Sequence, residues 1–384
     1  MIYLDNAETT MVDPIVVNVM REYMIEKYGV PRGEFGHILE DEANEAIEKA
    51  REVIASKINA KPNEIIFTSG GTESNNLAIK GVMHSPQYKG KRIVTSKIEH
   101  RSVLDVVKAL SNEEGFEAIY LNVDKEGFVD FESLNKAIVN TRLVSIQHAN
   151  QEIGTIQDIK AIGELCKEKN VLFHCDAVQS FMKEPIDVKK MGVDLMSLSA
   201  HLIHGPKGVG ALYVREGISL KPIILGDEQE RGFRAGTPNL PGIVGFAKAT
   251  ELISIDEVRR MRELRDWLIE NLLNIEATKL NGPLGDKRLC NNVNITFKYV
   301  EGEAILMYAN LEGLIINTGS ACYSQKLEPS HVIRAIGGTY EESHGSIRLS
   351  LSKWTTKKEV ESAVEIINRA VKKLRSFSPL VKGW

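Results

Sequence analysis

The sequence predicts an α/β protein: a large domain built on a mostly parallel sheet sandwiched by helices, followed by a smaller α+β domain. Three observations carry this. Short apolar runs alternate with segments of helical periodicity from about residue 40 to 214. A glycine-rich turn at 68–76 lies between one such run and the helix after it. Beyond a long helical stretch at 239–271, strands and helices alternate differently and the segments become shorter.

The elements follow in order. Residues 1–5 begin a strand. Ala43, Ala46, Ile47, Ala50, Val53 and Ile54 recur at helical spacing, and 64–68 then reads as a short buried strand. Further apolar strands fall at 92–96, 141–147, 171–176, 195–199 and 210–214, with helical stretches between most of them. Strands separated by helices pair in parallel, and ligand-binding groups then gather in loops beyond the strand ends. After the helix at 239–271 come a strand near 292–296, a helix near 301–311, a strand near 314–317, a strand near 346–350 and a closing helix over 357–375.

At 384 residues the chain is long enough for two domains. Charged residues make up 26%, aromatics 6%, and the net charge is -4, which gives no electrostatic case for nucleic acid or an anionic membrane as partner. No apolar run is long enough to span a bilayer, and the N-terminus does not read as a signal peptide, so a cytoplasmic location is expected. Cys166, Cys175, Cys290 and Cys322 form no C-x-x-C pair, and reduced thiols are the natural reading; no intrinsic metal site is expected.

Several segments carry chemistry. Thr68-Ser69-Gly70-Gly71-Thr72-Glu73-Ser74-Asn75-Asn76 is either an ordinary capped turn or an anion cradle at a helix N-terminus. Glu99-His100 and His174-Cys175-Asp176-Ala177-Val178-Gln179 each end a strand, where an aspartate can be a helix cap or a ligand to a base. The run Ser197-Leu198-Ser199-Ala200-His201-Leu202-Ile203-His204-Gly205-Pro206-Lys207-Gly208 follows another strand. Small residues around Cys322 in Asn317-Thr318-Gly319-Ser320-Ala321-Cys322 predict an exposed loop thiol, and Leu327-Glu328-Pro329-Ser330 comes soon after. Arg348, on a strand, can pair a neighbouring acid or clamp a carboxylate bidentately.

Together these segments resemble the NifS/IscS-like cysteine desulfurases, pyridoxal phosphate (PLP) enzymes of the class V aminotransferase group, and the resemblance spans nearly the whole chain. It implies PLP fold type I, with a large cofactor-binding domain at 12–258 and a small domain of 1–11 plus 259–384 carrying the Cys322 loop. It implies that Gly71 and Thr72 form a phosphate-binding turn, that His100 stacks on the cofactor ring, that Asp176 holds the ring nitrogen protonated and that Gln179 bonds the phenolic oxygen. Ser199 and His201 would bind phosphate, and Thr237 would reach the phosphate of the other protomer, which makes the protein a homodimer. Gln151 and Arg348 would meet the substrate, cysteine, and Cys322 would carry a persulfide or ligate a cluster bound on a partner. The partner so implied is an iron–sulfur scaffold protein or another sulfur acceptor, as in tRNA thiolation.

The resemblance breaks at its centre. Leu202 stands where the family has the lysine that forms the Schiff base, and an isobutyl group can neither form an imine nor move a proton. Lys207 already matches the lysine of the Gly-Pro-Lys-Gly run. Glu8 replaces a family alanine and is expected either to repel the substrate carboxylate or to compete for Arg348; Gln151 replaces an asparagine; Asp227 and Glu228 replace glycines; the 28–33 segment matches only faintly. These changes are expected to cluster around the reacting atoms. Two readings follow: a sulfur-handling protein whose PLP-lysine catalysis is lost or very weak, with PLP noncovalent if bound, or an active desulfurase using noncovalent PLP.

Overall fold

The computed structural model describes residues 1–31, 37–319 and 329–378. Strand β1 (Ile2–Tyr3) opens the chain. Strands β2 (Ile65–Thr68), β3 (Arg92–Ser96), β4 (Glu117–Leu121), β5 (Thr141–Gln147), β6 (Leu172–Asp176), β7 (Leu195–Ser199) and β8 (Gly210–Val214) form a seven-stranded sheet in the order β2-β8-β7-β6-β5-β3-β4. Neighbours from β7 across to β4 pair in parallel; β8 alone runs the other way, antiparallel to both β7 and β2.

Side chains on this sheet divide by the period of two that a pleated strand imposes. Ile65 and Phe67 of β2 and Ala211 and Tyr213 of β8 join one apolar cluster, while Ile66, Leu212 and Val214 join the cluster on the other face. Helices cover both faces, which is why these strands read as continuous apolar runs rather than alternating ones.

A separate core forms from Leu4, the helix Ile255–Leu273 and the closing helix Lys357–Phe377. It packs on a three-stranded antiparallel sheet of β9 (Thr278–Leu280), β10 (Asn292–Phe297) and β12 (Ser346–Ser350). Strand β11 (Leu314–Ile315) pairs in parallel with β1, and Asp5 bridges to Ser350. The N-terminal segment is thereby tied to residues more than 300 positions away: Asn6 Nδ2 donates to the Ser350 carbonyl at 2.8 Å with a sequence separation of 344.

Three sequence expectations need correction. The long helix at 239–271 is two helices, Leu240–Leu252 and Ile255–Leu273. Ser254 breaks it: its side chain accepts from the Glu257 N–H, and the Glu257 carboxylate accepts from the Ser254 N–H in return. That reciprocal cap satisfies donors a continuous helix would have used internally. β4 and β9 were not foreseen, because each carries polar residues and a partly exposed face. The strand near 314–317 is confined to Leu314–Ile315, continued by a single bridge from Asn317 to Arg348.

Candidate active site

The parallel strands of the main sheet end on one side, and the loops leaving them surround a cavity of about 370 Å³. That volume lies within the usual range for small-molecule sites. The opposite wall comes from the N-terminal segment, β12 and residues 319 and 329–331.

On the sheet side, the turn after β2 leads into the helix Gly71–Met83. Gly70 has φ +150° and ψ -175°, a conformation open to glycine alone, and a Cβ on Gly71 would stand 2.6 Å from Val178 Cγ2. The backbone can therefore pass close to Val178, and the helix begins with no side-chain cap on its first N–H groups. Glu73 binds back to the Ser69 N–H at 2.8 Å and pairs with Arg234 at 2.9 Å, and those bonds hold its carboxyl below its usual range against the opposing effect of burial.

Asp176, at the end of β6, accepts from Asn75 Nδ2 at 2.8 Å and from the Val178 N–H at 3.0 Å. Burial nevertheless pushes its carboxyl up, only partly opposed by nearby His100. His100 lines the cavity and caps the helix Arg101–Glu114, its Nδ1 accepting from the Ser102 N–H. Gln179 donates to the Ala7 carbonyl at 3.0 Å. His201 lines the cavity, and burial with Lys207 and Lys183 nearby brings its imidazole down to about 4, so it is neutral near pH 7.

Ser199 is fully buried behind this wall rather than on it, and its hydroxyl has no hydrogen-bond partner among the described residues. Thr237 is exposed and does not line the cavity. The sequence reading missed Asn75, which links Asp176 to Ser102 Oγ at 2.8 Å. The signal was available: Asn75 lies one helical turn after Gly71, on the same helix face.

Leu202 is 2% exposed and lines the cavity. It also lines a second, water-sized cavity of about 10 Å³ that holds buried Lys183. The Lys183 ammonium donates to the Gln179 carbonyl at 3.0 Å, and burial lowers its pKa to about 8. Lys207 is exposed and off the cavity wall.

On the opposing wall, the buried Arg348 guanidinium donates to Asp5 Oδ1 at 2.9 Å, to the Gln151 carbonyl at 3.3 Å and to Glu8 Oε2 at 3.5 Å. The competition expected of Glu8 is thus present as an ion pair. Gln151 lines the cavity, and its backbone carbonyl accepts from both Arg348 and Asn292. Glu152, which the sequence reading did not single out, also lines the cavity, and burial raises its pKa to about 7.

The expectation that all the sequence changes cluster here fails for two of them. Asp227 and Glu228 are exposed and line no part of this protomer's cavity. The neighbouring Glu230 is turned to Arg51 at 2.8 Å and to the Phe67 N–H at 2.7 Å, so its charge is spent on the edge strand β2. Cys322 lies outside the described residues, as do Arg32 and Gly33. Cys166, Cys175 and Cys290 are buried, and burial pushes all three thiols up, Cys290 to about 11. Thiols held protonated in this way are poor nucleophiles.

The residues present fit a phosphorylated aromatic aldehyde such as PLP. A helix start without a side-chain cap and a buried carboxyl, both on the cavity wall, are complementary to a phosphate and a protonated ring nitrogen. Among the described residues, no lysine lines the cavity.

The chain is similar to known proteins over nearly its whole length. Residues 2–362 match the aminotransferase class-V family. The chain is 48% identical over 390 residues to cysteine desulfurase IscS of Dictyoglomus turgidum, covering 100% of this chain and 98% of that one. It is 50% identical over 385 residues to cysteine desulfurase IscS of Methanosarcina thermophila, covering 99% and 94%. The solved structure of a NifS-like protein superposes with a TM-score of 0.89 at 38% identity, covering 97% of this chain and 99% of that one.

Proposed function

The chain belongs to the class V aminotransferase family, and from that premise we propose that it is a cysteine desulfurase-like protein that handles sulfur through Cys322. Its destination is iron–sulfur cluster assembly or tRNA thiolation, and turnover through a lysine-linked PLP is lost or very weak. The carrying observation is Leu202: an apolar, buried side chain on the cavity wall, in a cavity where no described lysine offers an amine. Relatives named cysteine desulfurase support the sulfur-handling class.

Bound PLP acts as an electron sink for bonds next to a substrate amine. The residues that would hold it noncovalently are Gly71 and Thr72 at the helix start, Asp176, Gln179, His100, Ser199 and His201, with Thr237 supplied by the second protomer of a homodimer. Asp176 would keep a proton on a ring nitrogen, and neutral His201 can accept a hydrogen bond or a proton. Arg348 orients a carboxylate only by exchanging it for Asp5 or Glu8, and the two acids weaken that clamp. A positioned acid–base amine contributes about 100- to 10,000-fold in such chemistry, and Leu202 supplies none of it.

Sulfur then reaches Cys322 from a sulfane donor. The thiolate attacks the terminal sulfur of a polysulfide, an S–S bond forms on Cys322, and the donor leaves one sulfur shorter. The acceptor thiol or scaffold completes the transfer. The retained cofactor wall favours a second reading, slow desulfuration of cysteine with noncovalent PLP.

We also assign the chain two domains, 12–258 and 1–11 with 259–384, supported by their separate apolar cores. A cytoplasmic location is part of the proposal; no helix of the described residues is long and apolar enough to cross a membrane.

The test is to load purified protein with PLP, record the visible spectrum before and after gel filtration, reduce with borohydride and map peptides. The proposal expects PLP that is lost on filtration and no pyridoxyl-lysine. Modified Lys207 or Lys183 would refute the noncovalent reading. Sulfide released from cysteine at a rate typical of the named relatives would refute the loss of catalysis.

A further inference from the structure

We propose that Glu152 is a positioning residue, whose buried carboxyl ties the cavity floor to Gly319 and Ser330, which flank the segment that carries Cys322. Its own backbone is fixed first. The Glu152 N–H donates to Asn150 Oδ1 at 2.9 Å, and its carbonyl accepts from Asn292 Nδ2 at 3.1 Å, which anchors it to β10. From there the carboxyl reaches across. Ser330 Oγ donates to Glu152 Oε1 at 2.5 Å, and the same hydroxyl accepts from the Ile333 N–H at 3.1 Å, capping the helix His331–Ala335. Gly319 packs so close that a Cβ built on it would overlap Glu152 Oε1. One carboxyl oxygen therefore contacts the residue before the segment and the residue that caps the helix after it.

The charge on Glu152 matters because this contact is fully buried. Burial raises its pKa to about 7, opposed by the Ser330 bond and by Arg348 of β12. Arg348 is shared with Asp5 and Glu8 of the N-terminal segment, which limits how far it can stabilise the carboxylate. His331 and His100, the other titratable groups on the cavity wall near this point, are engaged with the Glu99 carbonyl and Ser102 respectively. A hydrogen bond to an ionised acceptor is stronger than one to a neutral acid. That bond favours ionisation, but burial outweighs it: opening the contact to water lets the carboxyl ionise, so the tie loosens as pH rises from about 4.5 towards about 7.

This inference holds whether or not Cys322 carries sulfur, because its readout is local order. Hydrogen–deuterium exchange, normalised to intrinsic rates, is measured on peptides covering 329–338 and on the distant helix Leu240–Leu252 as a control. Glu152→Ala should raise exchange in 329–338 by about tenfold or more and leave the control unchanged. Glu152→Gln keeps an acceptor of the same shape, so it should raise exchange less than about threefold. Alkylation of Cys322, corrected for the thiol's own ionisation, should change between about pH 6 and about pH 8 in the wild type and lose that change in Glu152→Gln. Unchanged exchange in Glu152→Ala, or a pH response that survives in Glu152→Gln, would overturn the proposal. Should Glu152→Ala raise exchange everywhere, Ser330→Ala decides: it removes only the donor, and absence of the local rise there overturns the proposal equally.

Discussion

On the wall built from the strand ends of the main sheet, polar groups are left ready for a ligand. The helix Gly71–Met83 starts without a side-chain cap, and the Asp176 carboxyl is buried beside neutral donors and His100, with the buried Glu99 carboxyl nearby. On the facing wall the polar groups are already committed to each other. Arg348 is held by Asp5 and Glu8, and Ser330 by Glu152, which reaches across from the loop after β5; Leu202, after β7, adds hydrocarbon to the strand-end wall. A cavity can thus keep one half suited to a phosphorylated cofactor while the charged groups of its other half are paired with one another. The lesson is energetic: an unpartnered buried donor gains from any ligand that satisfies it, whereas a paired guanidinium must first give up an existing bond.

The largest effect is expected outside both walls. If the protein moves sulfur through its loop thiol, Cys322→Ser abolishes persulfide loading from polysulfide, read by mass spectrometry after alkylation, and the three buried cysteines do not substitute. Loading that persists in Cys322→Ser would leave the whole comparison without a function to explain. Next comes the cofactor wall. Asp176→Ala should weaken PLP retention by about 10- to 100-fold in equilibrium dialysis, the scale of a lost charge-assisted bond. Glu8→Ala, on the facing wall, should change retention less; equal losses would mean that the two walls do not differ in this way.

A smaller effect tests the facing wall directly. Leu202→Lys alone should restore little sulfide release from cysteine, because Arg348 remains engaged. Adding Glu8→Ala should then raise release by about tenfold, as one competing carboxylate is removed. Full turnover from Leu202→Lys alone would show that the substrate side was competent throughout.

The smallest effect concerns pH. His201 is held neutral, its pKa lowered from 6.5 to about 4. Its contribution to stability is therefore present above the unfolded value and lost as pH falls towards the folded one, since the unfolded chain binds the proton first. Between about pH 6.5 and about pH 5 that amounts to roughly 1 to 2 kcal/mol. His201→Gln should lose about 2 °C less in Tm over that interval than the wild type. An equal loss in both would place the acid sensitivity in other groups, with buried His148, lowered to about 4, the first to examine.

Much of the fold was legible because its signals are local. Apolar runs bounded by turns gave six of the seven main-sheet strands, at 64–68, 92–96, 141–147, 171–176, 195–199 and 210–214, and the structure places strands at each. The break at Ser254 was equally legible as a Ser-x-x-Glu cap, though a continuous apolar period masked it. β4 escaped because a sheet-edge strand carries mixed residues, and mixed residues carry no period.

By itself, the sequence determined the family and the strand-end segments that line the cavity, Leu202 among them. Each of these is written in a contiguous run whose backbone conformation is dictated within a few residues, as at Gly70, Gly71 and the strand-to-loop junction after Asp176. Only the tertiary structure decided what the polar groups of the facing wall meet. Arg348 finds Asp5 across a separation of 343 residues, Ser330 reaches Glu152 across 178, and Lys183 comes to rest behind Leu202. It also moved Asp227 and Glu228 away from the cavity in which sequence order alone had put them. The physical reason is that charge pairing and desolvation depend on distance in space and on exclusion of water, and neither is encoded in residue spacing along the chain.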